Sequence, residues 1–106
     1  MSDEREILEV DVLFVGAGPA SLACSYHLAK LLESHSEAGE EPGLDEVFAV
    51  LIEKGREIGS HSISGAVLDP RGIKELVPDF EDRDCPLEAE VDHDELWFLT
   101  KKRKLK

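Results

Sequence analysis

Cysteine is scarce in this chain. Cys24 and Cys85 are its only two, far apart and outside any metal-ligand spacing, which excludes a disulfide framework and a cysteine-cluster motif. Cys24 reads as a small buried residue of a helix and Cys85 as a loop thiol. Basic residues are in deficit: 12 stand against 24 acidic ones, for a formal charge of −12. Phosphate backbones would be repelled, so no nucleic-acid partner is expected. Long apolar runs are missing as well, and none approaches the roughly 20 residues that span a bilayer. The opening Met1-Ser-Asp-Glu-Arg-Glu6 is acidic and polar. It has neither the basic start and apolar core of a secretory signal nor the Arg-rich, acid-poor character of a transit peptide. The expected setting is reducing and cytoplasmic, with peripheral attachment at the inner face of a membrane left open. No internal repeat is visible.

What is present fits a small globular α/β unit. A length of 106 residues points to one domain, yet a complete doubly wound domain needs more strands than so short a chain supplies. After a polar arm over residues 1–9, Val10–Val15 is nearly continuously apolar, as in a parallel strand covered on both faces. Gly16-Ala-Gly18-Pro19 then turns the chain, with Pro19 suited to a first helical turn because its missing N–H would have no partner there. From Ala20 to about Ser34 the pattern is helical, with Ala20, Ala23, Cys24, His27, Leu28 and Leu31 on one face. His35 to Glu46 is acidic and broken by glycine and proline, and reads as an exposed loop. Val47–Ile52 is a second buried parallel strand, ending at Glu53. A loop rich in Gly, Ser and His runs from Gly55 to Asp69. Pro70 to Leu76 reads as a short helix, Glu95–Thr100 as a strand, and Lys101–Lys106 as a basic tail.

The chemistry concentrates at the first turn. Gly16-Ala17-Gly18-Pro19-Ala20-Ser21 matches the dinucleotide pattern G-x-G-x-x-G/A at two of its three marker positions. Gly16 would allow a tight turn, and Gly18, without a β-carbon, would let a pyrophosphate approach the backbone at the positive end of the helix dipole. Ser21 stands at the third marker, where a small residue keeps helix and strand close. Glu53, at the end of the next strand, would accept hydrogen bonds from the adenosine ribose. It lies further along the chain than the usual ~20 residues, an excess that the polar loop over His35–Glu46 accounts for.

Beyond Glu53 the sequence becomes more specific. Lys54-Gly55, the stretch Gly59-Ser-His61-Ser-Ile-Ser64-Gly65-Ala66, and Asp69-Pro70 resemble the electron transfer flavoprotein–ubiquinone oxidoreductase family. The run Lys74-Glu-Leu-Val-Pro78-Asp-Phe80, then Pro86-Leu87 and Trp97–Thr100, continues the likeness. It extends from Val10 to about Lys101. The resemblance implies that this chain is the N-terminal FAD-binding segment of such an enzyme: one incomplete domain with a partial Rossmann-like βαβ unit and an irregular C-terminal half. Gly16, Ala17, Gly18, Pro19, Ala20, Ser21, Glu53 and Lys54 would hold the ADP half, and His61, Ser64 and Gly65 would lie beside the flavin end. Electrons would pass from reduced electron transfer flavoprotein to ubiquinone at a membrane surface. Any iron–sulfur cluster would reside in sequence further downstream. No catalytic acid or base and no metal ligand is expected among these residues. A reductase of the geranylgeranyl reductase or nitrogen-fixation flavoprotein type remains an alternative, as does an inactive binding module.

Overall fold

The computed structural model describes residues 5–44, 46–63 and 65–105. They form two compact units, one up to residue 64 and one from residue 65. The first is a β-α-β unit. Strand β1 (Val12–Val15) runs parallel to β2 (Ala49–Ile52), in a register that sets Val12 beside Ala49 and Val15 beside Ile52. Helix α1 (Pro19–Ala38) connects them. Both strands are shorter than their apolar runs. At the head of the pair the Phe48 amide donates to the Asp11 carboxylate at 2.7 Å, while the Asp11 amide donates to the Phe48 carbonyl at 2.9 Å. A side chain thus takes a bond that would otherwise extend the ladder.

Helix α1 begins at Gly18 and takes Pro19 into its first turn. It ends at Gly39, whose left-handed conformation (φ +64) lets its amide close onto the His35 and Ser36 carbonyls. The helix therefore runs four residues past the expected stop at Ser34. Residues His35 to Glu37 are polar yet compatible with a helix, as is Ala38, and the glycine after them is the true terminator. His35 then fastens the segment beyond the helix: one ring nitrogen lies 2.7 Å from the Pro42 carbonyl oxygen and the other 3.2 Å from the Glu40 carboxylate.

The helix packs on β1, and the face that apolar spacing proposes is only partly turned inward. Of that face Ala23 and Leu28 are half-buried, as are Ser21, Ser25, Tyr26, Leu32 and His35, whereas Ala20, Cys24, His27 and Leu31 are exposed. Cys24 is accordingly not a buried residue. The sheet is likewise not covered on both faces by the described residues. Val12 and Phe14 are half-buried, while Leu13, Val15 and Ile52 on the opposite face are 51%, 73% and 48% exposed. Among the described residues no helix is long and apolar enough to cross a membrane.

In the second unit, Asp69 caps α2 (Pro70–Leu76) by accepting from the Arg71 amide at 3.1 Å, and it pairs with the Arg71 guanidinium. Phe80, in a single 3₁₀ turn (Phe80–Asp82), is buried. Ile73, Leu76 and Val77 are half-buried, but Val67 and Leu68 are exposed rather than core. Strand β3 (Phe98–Leu99) pairs antiparallel with β4 (Lys104–Leu105). The strand expected over Glu95–Thr100 is thus confined to two residues. The basic run contributes the turn and the returning strand, closed by Thr100, whose amide donates to the Arg103 carbonyl at 2.8 Å. Glu95 accepts from the Trp97 indole at 2.7 Å and contacts His93, while the Lys104 ammonium lies 4.5 Å from the centre of the Trp97 ring.

Candidate functional site

The ends of β1 and β2 meet the start of α1. The Gly16 amide donates to the Ile52 carbonyl at 2.7 Å, which carries the strand pairing one step beyond the strands themselves. Gly16 then turns at φ +95, a left-handed region where an L side chain is strained. Ala17 is buried, and its amide donates to Glu53 Oε2 at 2.8 Å. Gly18 is extended (φ −78, ψ 175), caps the helix without a side chain, and has open space where a β-carbon would stand. Helix geometry leaves the amides of Ala20 and Ser21 outside the intrahelical ladder. No acidic residue occupies the first turn, so the positive end of the helix dipole is not neutralised by this segment.

Glu53 is the hub of the arrangement. Its second oxygen, Oε1, accepts from the Gly55 amide at 2.8 Å. These two amides, Gly55 first and Ala17 next, hold its carboxyl below the ordinary value, with smaller contributions in the same direction from His61 and Lys54. The ionised group has about four lone-pair directions, of which the two amides use two. The loop after it is tightly wound. The Ser60 hydroxyl donates to the Glu57 carbonyl at 2.7 Å and accepts from the Glu57 amide at 3.0 Å. Gly59 sits at φ +88, and the Ser62 amide returns to its carbonyl. A β-carbon on Gly55 would lie 3.2 Å from Glu53 Oε1 and 3.2 Å from the Glu57 carbonyl oxygen.

Together these segments enclose an open depression of about 600 Å³. Of the residues expected from sequence, Gly16, Ala17, Gly18, Pro19, Glu53, Lys54 and His61 line it. Ala20 is exposed and Ser21 is half-buried on the line of α1 that includes Leu28. Gly65 belongs to the second unit, in a left-handed turn (φ +77), and Ser64 lies outside the described residues. The depression also takes in Val15, Ile52, Gly59, Ser60 and Ser62, which were not singled out as site residues. Gly59 was visible as a motif glycine, and the serines beside His61 were the only further signal. Among the described residues no group of three or more His, Cys, Asp or Glu side chains gathers as a metal site.

No family model matches the chain. Individual relatives do. The mitochondrial electron transfer flavoprotein-ubiquinone oxidoreductase of Dictyostelium discoideum is 40% identical over 102 residues, covering 96% of this chain and 16% of that protein. The electron transfer flavoprotein-ubiquinone oxidoreductase of Pseudomonas aeruginosa is 41% identical over 96 residues, 91% of this chain and 16% of the relative. The mitochondrial protein of Bos taurus is 38% identical over 102 residues. The chain therefore spans about a sixth of the length of these curated relatives. Over nearly all of its own length, it is a relative of one segment of the electron transfer flavoprotein–ubiquinone oxidoreductases.

Proposed function

We propose that this chain is the ADP-binding part of an FAD-dependent oxidoreductase that passes electrons from reduced electron transfer flavoprotein to ubiquinone. The observation that carries the reading is the meeting, at the carboxyl ends of two parallel strands, of a glycine turn, an uncapped helix start and an ionised Glu53. The residues fit the group on their own geometry. Gly18 leaves room where a side chain would stand, which a diphosphate needs in order to reach the helix-start amides. Glu53 keeps acceptor capacity for ribose hydroxyls after serving two amides.

In this reading the β-α-β unit is the beginning of a Rossmann-like fold, and the chain is one incomplete FAD-binding domain. Gly16 to Ser21 cradle the diphosphate, Glu53 and Lys54 receive the ribose side, and the flavin end is assigned, by the family resemblance, to His61, Ser64 and Gly65. FAD supplies the redox chemistry when bound. This chain contributes binding and orientation, and electron transfer asks no proton donor of it. An iron–sulfur cluster and the quinone pocket are assigned to sequence beyond these residues, and attachment is peripheral, at the inner face of a membrane. The names of the relatives support the electron-transfer role. The test is to purify the chain alone and as part of a longer protein, and to measure flavin absorbance and fluorescence after reconstitution with FAD. A longer protein that takes up no FAD overturns the proposal.

A second reading, a binding module without activity, draws on the exposed apolar face of Leu13, Val15 and Ile52. A sharp, cooperative melting transition of the isolated chain would count against it.

A further inference from the structure

Ala17 is buried between two glycines, and its amide needs a partner. The partner is not a neighbour in sequence but Glu53, 36 residues on, whose other oxygen is engaged by Gly55. One carboxylate thereby joins the two walls of the depression, the glycine turn on one side and the loop after β2 on the other. Gly55 is built for this: any β-carbon there would crowd both Glu53 Oε1 and the Glu57 carbonyl. We infer that Glu53 is a positioning residue for the glycine turn, its carboxylate tying Ala17 to Gly55 and so aiming the amides at the start of α1 toward a diphosphate. This extends the ADP-binding reading and rests on it for its consequence in binding. The contact with ribose hydroxyls is then a second task for a group already engaged.

The chemistry of the tie makes it separable from a ribose contact. Both of its donors are N–H groups, so both positions on the side chain must be acceptors. Glu53→Gln preserves shape but turns one acceptor into a donor facing an amide, and one of the two bonds is lost. Inorganic pyrophosphate, which has no ribose, is the discriminating probe. If Glu53 served ribose alone, Glu53→Gln would leave pyrophosphate affinity unchanged, or raise it by removing a negative charge. The tie requires the opposite sign.

With the whole 106-residue chain, the expected result for Glu53→Gln is pyrophosphate binding weakened at least about threefold and amide exchange accelerated about tenfold at whichever of Ala17 and Gly55 faces the new NH2 group, the loss of one charge-assisted bond. Unchanged or tighter pyrophosphate binding with unchanged exchange overturns the inference. If Glu53→Gln does not fold, the wild-type chain decides: protection of the Ala17 and Gly55 amides must fall together as the Glu53 carboxyl is protonated. Protection that ignores that protonation overturns the inference equally. Should the wild-type chain bind no pyrophosphate, amide exchange alone judges the tie, and the ADP-binding reading is judged separately by FAD uptake of the longer protein.

Discussion

At Gly16 the backbone sits at φ +95, where a side chain is strained, whereas at Gly18 it is extended and a β-carbon would enter open space. The two glycines are therefore separable by substitution. Gly16→Ala should lower unfolding stability by about 1–2 kcal/mol. Gly18→Ala should leave the denaturation midpoint nearly unchanged yet weaken ADP binding at least about tenfold by titration calorimetry; undiminished binding would remove the diphosphate from this turn. Glu53 gives the pH dependence. Because the amides of Gly55 and Ala17 depress its folded-state value, its contribution is fully present above the ordinary carboxyl value of 4.5 and is lost as pH falls through the lower folded value. Asp69, depressed by Arg71 from 3.8, acts in the same direction. Denaturation midpoints should thus fall on the acid side of pH 4.5, and Glu53→Gln should flatten that fall. Gly16, Gly18 and Glu53 were legible in the sequence because each meets a steric or charge requirement tied to residue type. The Glu53–Ala17 bond was not, because its donor is a backbone amide and leaves no mark on the side chain at position 17.

Among the elements, α1 shows how a correct assignment can carry a face that is only partly right. Its existence followed from the turn before it and from helical spacing. Its orientation followed only in part: Ala23 and Leu28 are half-buried, but so are Ser21 and Ser25, which carry no apolar signal. The contrast is measurable at two leucines. Leu28 is half-buried and Leu31 is 54% exposed, so Leu28→Ala should cost about 1–2 kcal/mol and Leu31→Ala less than about 0.5. Equal costs in urea denaturation would put Leu31 back on the inward side that apolar spacing proposes for it. The last turn of the helix escaped sequence reading for a related reason: residues 35–38 carry no apolar period, and only Gly39, with its left-handed backbone, marks the end. The parallel strands were readable from their apolar runs, but their ends depended on Asp11 taking the Phe48 amide.

For the molecule as a whole, the described residues bury little: Ala17 and Phe80 are its buried apolar side chains. Leu13, Val15 and Ile52 leave one side of the sheet open, the kind of apolar surface that promotes association. The isolated chain should bind an apolar-sensing dye, and Val15→Lys, at a position 73% exposed, should reduce dye binding without lowering the melting midpoint. Undiminished dye binding would place the sticky surface elsewhere. The arrangement around Trp97 has a practical consequence of another kind. It is the chain's single tryptophan, held by Glu95 and overlain by Lys104 in the second unit, while the single tyrosine, Tyr26, lies on α1 in the first. Each unit thus contains its own optical reporter. Indole emission followed during heating reports the hairpin of the second unit, and phenol absorbance reports the helix of the first. Whether the two traces coincide measures directly if this stretch of protein melts as one cooperative body or as two.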